Sequence, residues 1–206
     1  MRKMFFKIIY LKVLFLTLSP LIIHGQVSTR PLSQLEPVDI VEFEGQPAII
    51  QQLISFALEI GKEGLAFKYG SFDPKNGGMD CSGTVHHILL QLGIKSPRET
   101  HTVFEWVDKE GNLNEITGSI SLDSSQLHNL GPGDLLFWEG TYDVGDRDPP
   151  ISHVMIFIGH RKDNLKPVMV GASSSRGVSI LEFKMPRPNT TYRFVAYGTP
   201  PGLRGE

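Results

Sequence analysis

The sequence predicts one α+β domain in which helices come first and an antiparallel sheet or small barrel follows. Two patterns carry this prediction. Apolar residues recur at helical spacing over 49–58 and again over 85–92. From residue 131 onwards, short apolar runs alternate with turns rich in Gly, Pro and Asp, which is typical of strands. Because 206 residues suit one compact domain with a short extension, helices and strands belong to one α+β unit.

The elements follow from local signals along the chain. Pro47 favours the first turn of a helix that ends at Gly61 or Gly64. A second helix is predicted from Cys81 to about Leu92, and a short third one over 102–107. Strands are predicted over the apolar runs 135–138, 152–158, 167–170, 178–181 and 192–197.

The composition excludes several classes of protein. With 40% hydrophobic residues and no periodic glycine, the chain is neither disordered nor collagen-like. A single cysteine excludes an internal disulfide framework and a Cys-rich zinc module. The formal charge of −2 indicates no nucleic-acid surface. We therefore expect a monomer with no metal, no cofactor and no nucleic-acid partner.

Residues 1–25 are predicted to be a signal peptide. A basic start with Arg2, Lys3 and Lys7 precedes the apolar run 13–23, and Gly25 offers a small residue for cleavage. Lys12 cuts the run short of the roughly 20 apolar residues that a membrane span needs. We expect export to the periplasm or the outside of the cell without a lipid anchor, because no cysteine lies near the junction. An uncleaved N-terminal anchor is the alternative.

The domain boundaries follow from the same signals. Residues 26–45 are polar and contain proline, and they are predicted to form an extended leader. Residues 46–200 are predicted to form the folded domain.

Cys81 lies in Asp80-Cys81-Ser82-Gly83, at the predicted start of a helix. A helix N-terminus carries unpaired N–H groups and partial positive charge, which favour the thiolate that attacks carbonyl groups. The same N–H groups could receive the oxyanion of a tetrahedral intermediate. An odd cysteine in an exported protein suggests a reactive thiol. A buried cysteine that only fills space is the alternative.

His153 is the best candidate for the base that such a thiol needs. It lies inside the apolar strand 151–158, on the same face as Met155 and Phe157. A polar ring in such a strand requires a partner, although a satisfied core histidine is the alternative. A thiol on a helix followed by an imidazole on a strand is the order of parts in papain-like enzymes.

The chain also resembles the NlpC family of cell-wall cysteine peptidases. The matching motifs occur in the family's order across roughly residues 48–197, and they are Gly70, Met79-Asp80-Cys81-Ser82-Gly83-Thr84-Val85, Pro97-Arg98, Gly131-Pro132-Gly133-Asp134-Leu135, Ser152-His153-Val154-Met155-Ile156 and Ala172-Ser173-Ser174-Ser175-Arg176-Gly177-Val178. This resemblance implies a papain-like fold acting on peptidoglycan stem peptides or muropeptides. It also implies cleavage between D-glutamate, linked through its side chain, and the following diamino acid.

The resemblance assigns roles to individual residues. It implies that Cys81 is the nucleophile and that His153 is the general base, which later protonates the leaving amine. It places Asp80 and Ser82 where the family holds the free amino end of a stem peptide. Arg98 fits a contact with a substrate carboxylate. A helix N-cap is the alternative for Asp80, and a structural role is the alternative for Arg98.

Two positions depart from the family pattern. Phe67 stands where many members carry a tyrosine that lines the oxyanion site, and Tyr69 follows two residues later. Gly171 occupies the third catalytic position and has no side chain to orient the imidazole. His160 is the nearest replacement, if Gly159 breaks the strand alternation.

A backbone carbonyl, a water or Ser173 could orient the ring instead. The departure at Gly171 keeps two other functions open. One is a catalytically impaired domain that binds wall peptides, and the other is a papain-like acyltransferase acting on lipid amides.

Overall fold

The structure, a computed structural model, describes residues 30–204. Three α-helices are present: α1 (Ala48–Lys62), α2 (Cys81–Gln91) and α3 (Thr100–Lys109). The strands are β1 (Ala66–Phe67), β2 (Gly78–Met79), β3 (Leu113–Glu115), β4 (Leu135–Glu139), β5 (Ile151–His160), β6 (Pro167–Ser173), β7 (Gly177–Glu182) and β8 (Arg193–Gly198). No helix in this part of the chain is both long and apolar enough to cross a membrane. The predicted signal peptide, residues 1–25, lies outside the described residues.

Six of the strands form one antiparallel sheet in the order β3-β8-β4-β5-β6-β7. This confirms the predicted α+β class, with helices on a C-terminal antiparallel sheet. Within residues 30–204 no ladder joins the edge strands β3 and β7, so the sheet is open and the barrel alternative is not formed. Strand β5 lies inside the sheet and pairs with β4 and β6.

The sheet buries a different core on each face. On one face, Val154 and Ile156 of β5 pack with the apolar stripe of α1. Because side chains alternate along a strand, Met155 and Phe157 belong to the other face. The second core is mainly aromatic, and its buried members are Leu127, Leu136, Trp138, Met155, Phe157, Phe183, Phe194 and Tyr197.

The segment before α1 is folded, which corrects the prediction of an extended leader over 26–45. Within its described part, single turns of 3-10 helix cover Leu32–Gln34, Pro37–Asp39 and Phe43–Gly45. Leu35 and Ile40 are buried in the main core, and Ile40 forms a β-bridge with Arg161 at the end of β5. The segment folds because these two apolar side chains gain more by burial than an extended, solvated chain would.

Candidate active site

The start of α2 is fixed by its first turn. Cys81 is the first helical residue, and Asp80 caps the helix by accepting a hydrogen bond from the Gly83 amide at 2.7 Å. A side chain at position 83 would place its Cβ 2.1 Å from the backbone oxygen of Ser71, so only glycine fits. The helix therefore begins at the cysteine for steric as well as capping reasons.

The Cys81 thiol is buried and un-ionised at rest. Its Sγ lies 3.9 Å from Thr100 Oγ1, and the backbone amides of Val154 and Ser82 also approach it. Burial raises the pKa of the thiol, and the negative charge of Asp80 raises it further, so the helpful amide contacts are outweighed. The expectation that the helix start makes this thiol easy to ionise is therefore wrong for the resting protein.

His153 lies opposite Trp138 in the β4–β5 ladder, with 5.7 Å between the two ring centroids. Burial lowers the pKa of the imidazole to about 4, with no charged neighbour to oppose it. No side chain among residues 30–204 forms a hydrogen bond with the ring. The ring is therefore neutral at pH 7, like the thiol.

Cys81 and His153 line the same cavity, which has a volume of about 700 Å³. Phe67 and Tyr69 line it as well. Most of its wall is aromatic, hydroxyl-bearing or methionine, and the other lining residues are Trp138, Thr141, Tyr142, Ser152, Met155, Met169, Ser173, Ser174, Ser175, Glu182, Lys184 and Tyr192. The two charged lining residues pair with each other at 2.9 Å. The structure thus brings the predicted nucleophile and base to one cavity of substrate size.

The other predicted substrate contacts, Asp80, Ser82 and Arg98, are not among the residues that line this cavity. Asp80 Oδ2 accepts hydrogen bonds from the Gly70 amide at 2.7 Å and from Arg98 Nη2 at 2.8 Å. Arg98 Nη1 donates to Ser82 Oγ at 2.8 Å. A buried carboxylate requires such partners, and in this structure all three side chains support the start of α2.

His160 does not orient His153, which corrects that expectation. Seven residues of extended strand separate the two rings by roughly 20 Å. His160 Nδ1 is 2.5 Å from Glu42 Oε1, and the His160 amide donates to Glu42 Oε2 at 2.9 Å. Gly159 has a positive φ, and the β5–β6 register shifts beside it. This irregularity does not bring the His160 ring to the cavity that contains Cys81.

A protein-family profile identifies the family of this chain. A sequence profile described as the NlpC/P60 family matches residues 64–194, which is more than half of the chain. The chain belongs to the NlpC/P60 family. The match confirms the resemblance that the motifs indicate.

Several NlpC/P60 proteins of known structure are similar to this chain. One from Bacillus cereus ATCC 10987 is 24% identical, with a TM-score of 0.47 over 73% of this chain and 39% of that one. A Staphylococcus aureus Mu50 protein, described as similar to a lipoprotein of the NLP/P60 family, is 19% identical, with a TM-score of 0.46 over 73% and 42%. The peptidoglycan hydrolase RipB of Mycobacterium tuberculosis is 17% identical, with a TM-score of 0.43 over 75% and 69%.

The aligned region spans less than half of the Bacillus and Staphylococcus chains. No protein with a curated function matches significantly. Membership therefore rests on the family profile, and these structures add no function to it.

In this NlpC/P60 chain, Met155 occupies the space beside Gly171. A Cβ on Gly171 would lie 2.6 Å from Met155 Cγ, so the methionine occupies the volume that a side chain at 171 would need. Glycine at position 171 and methionine at position 155 are therefore sterically matched.

Sequence reasoning missed the role of Met155 and Met169 in the cavity wall. For Met155 the strand position, on the same face as His153, was a usable signal, whereas Met169 lies on another strand and carried none. The contribution of Thr141, Tyr142 and Tyr192 carried no comparable signal, because loop and strand-end positions meet only in the folded chain. Within residues 30–204 no three His, Cys, Asp or Glu side chains form a cluster that could hold a metal ion.

Proposed function

We propose that this NlpC/P60 protein is a cysteine peptidase that hydrolyses peptidoglycan stem peptides, at the bond between D-γ-glutamate and the diamino acid. The observation that carries the proposal is the shared cavity of Cys81 and His153. Family membership supports the hydrolase class. The choice of bond rests on the motif resemblance.

The proposed reaction is two successive acyl transfers. His153 takes the proton from Cys81 as the sulfur attacks the scissile carbonyl, and the imidazolium then gives this proton to the departing amine. The C–N bond breaks and a thioester forms. His153 next removes a proton from water, whose oxygen attacks the thioester, and the proton returns to the sulfur as the acid leaves.

The two pKa shifts determine how the first step begins. A raised thiol pKa and an imidazole pKa of about 4 make the neutral pair the resting form. Proton transfer therefore accompanies attack instead of preceding it, since a stable thiolate–imidazolium pair would require the opposite order of pKa values. Stabilisation of the oxyanion by N–H groups at the start of α2 is part of the proposal, and the Gly83 amide is not one of them because it donates to Asp80 Oδ1.

The cavity wall favours a second candidate function, an acyltransferase or amidase acting on lipid amides. Trp138, Met155 and Met169 provide apolar surface in the wall of the same cavity. The Glu182 carboxylate is paired with Lys184 and with Lys166. An uncharged acyl chain loses little by entering such a site, whereas an uncompensated charge would lose its hydration. This candidate predicts transfer to a lipid acceptor and poor hydrolysis of muropeptides.

Mass spectrometry of products from defined tri- and tetrapeptides tests the main proposal. The wild type should release the dipeptide ending in D-glutamate, and Cys81→Ala should abolish release while keeping the thermal midpoint within a few degrees. Retained cleavage in Cys81→Ala would exclude this nucleophile. Binding without turnover would favour the impaired wall-peptide binding domain. Turnover of only N-acyl lipid amides would favour the second candidate.

We further propose that the protein acts outside the cytoplasm, after cleavage behind Gly25. The support is the basic and apolar pattern of residues 1–25. Export of full-length chain expressed in bacteria should yield a mature form that begins at Gln26, as read by N-terminal sequencing. An intact N-terminus on a membrane-bound product would favour the uncleaved anchor.

A further inference from the structure

The hydroxyl of Ser173 is the least explained polar group beside the cavity. The residue lies at the end of β6 and contributes to the cavity wall. Its Oγ is shielded from solvent and has no hydrogen-bond partner among residues 30–204. A buried hydroxyl without a partner destabilises the folded state, because it gives up its hydrogen bonds to water. A group that carries this cost calls for a partner within reach.

Ser173 and His153 lie at the same end of the β5–β6 strand pair. Ile156 pairs with Val170, and the position of Gly171 against Met155 continues the same register by one residue. Two residues beyond this contact, strand alternation puts Ser173 and His153 on the same face of the sheet, and both line the cavity. The ladder itself ends at Ile156 and Val170, so a contact between the hydroxyl and the ring would join the two strands where they no longer pair.

Two candidate partners exist for this hydroxyl, the imidazole and the substrate. The oxygen is closed to solvent, so a molecule in the cavity reaches it only after the wall moves. The imidazole is already a neighbour in the wall, and it has no hydrogen bond from residues 30–204. A neutral imidazole needs an acceptor for its N–H, so that its other nitrogen presents a lone pair. These observations favour the ring.

We infer that Ser173 is the positioning residue for His153, in place of the side chain that Gly171 lacks. Its Oγ accepts a hydrogen bond from one ring nitrogen and fixes the tautomer whose other nitrogen faces Cys81. Met155 fills the space that a side chain at position 171 would need. The orienting contact therefore comes from Ser173, two residues further along β6 on the same face. This inference rests on the proposed peptidase mechanism.

Kinetics of Ser173→Ala provide the first test. We expect kcat to fall about ten- to hundredfold with KM within about twofold, because a misplaced base slows chemistry more than binding. Ser173→Thr keeps the hydroxyl and should restore most of kcat. Ser179→Ala is the matched control. Ser179 also has a buried Oγ without a partner in the described part of the chain, it pairs with Gly171, and it lies outside the cavity lining.

An effect on KM alone would overturn the inference and assign the hydroxyl to substrate binding. An unchanged kcat in Ser173→Ala would also overturn it. Loss of kcat to the same extent in Ser179→Ala would indicate a structural role for both serines.

Nitrogen-15 NMR of the histidine rings is the second test, and it needs no turnover. At pH 7 the wild type should show His153 in one tautomer, whereas Ser173→Ala should show averaged shifts of the two ring nitrogens. Ser179→Ala should match the wild type. An unchanged tautomer in Ser173→Ala would refute the positioning role. Should the wild type cleave no peptide, this spectrum still decides the inference separately from the proposed function.

Discussion

The two ends of β5 carry the same residue type in opposite environments. His153 lies at the cavity end, where burial lowers the pKa of its ring to about 4. His160 lies at the other end, where a carboxylate of Glu42 contacts its ring. Both belong to β5, and strand membership does not distinguish them. The partner that the rest of the chain supplies decides which histidine remains free to exchange a proton.

Removing the imidazole of His153 or of His160 should produce the largest difference in hydrolysis rate between the two ends of β5. His153→Ala should lower peptide hydrolysis about 10³-fold, because it removes general acid–base catalysis. His160→Ala should change the rate less than twofold, since its ring lies outside the cavity. Rates of product formation, measured on protein with checked folding, test both. Comparable losses in the two variants would remove the functional distinction between the ends.

The features that follow from local pattern were predictable. Spacing, turn residues and capping predict the apolar stripe of α1 and the helix start at Cys81. They also predict strands β4 and β6, on either side of the strand that contains Met155. The folding of residues 30–45 was not predictable, because Ile40 is buried where it bridges to Arg161, just beyond the far end of β5. Short local windows contain no information about such a distant partner.

The candidate site divides in the same way. Cys81 and His153 could be identified from their places at a helix start and in an apolar strand. The environment of the thiol could not, because burial depends on which elements cover the helix start. Likewise, the hydrogen bonds that turn Asp80 and Arg98 toward each other join residues distant in sequence. The direction of the pKa shift of the Cys81 thiol therefore could not be predicted without the fold.

The next largest effect should be a loss of stability in acid that results from protonation of His153. Its folded pKa of about 4 lies below the unfolded value of 6.5, so between these pH values the unfolded chain binds the additional proton. The free energy of unfolding that the neutral His153 ring contributes is complete above pH 6.5 and is lost as pH falls toward 4. The loss amounts to about 3 kcal/mol of unfolding free energy. Urea unfolding of wild type and His153→Gln should show this difference in pH dependence.

Subtracting the His153→Gln curve removes the contributions of other groups with shifted pKa values, such as His87 and Glu42. Parallel curves for the two proteins between pH 4 and 6.5 would show that the imidazole is accessible to protons in the folded state. The same result would weaken the neutral resting pair on which the proposed first step depends.

The smallest expected effect concerns the Glu42 contact at the other end of β5. Burial raises the pKa of Glu42, but hydrogen bonds from the His160 side chain and backbone outweigh it and leave the pKa lowered. Glu42→Gln should therefore cost about 1 kcal/mol of unfolding free energy at pH 7, because the charged acceptor is lost. Glu44→Gln is the control, since its exposed 3.3 Å pair with Lys162 should contribute under about 0.5 kcal/mol.

The difference between these two variants should shrink as pH falls below 4.5. A lowered carboxyl pKa contributes stability above the unfolded value, and that stability disappears when the folded carboxyl is protonated. Hydrolysis at pH 7 should stay unchanged in Glu42→Gln, because the contact anchors the 30–45 segment and does not reach the thiol. A parallel loss of hydrolysis and stability would instead show that the segment supports the cavity through β5, and the two ends would then form one functional unit.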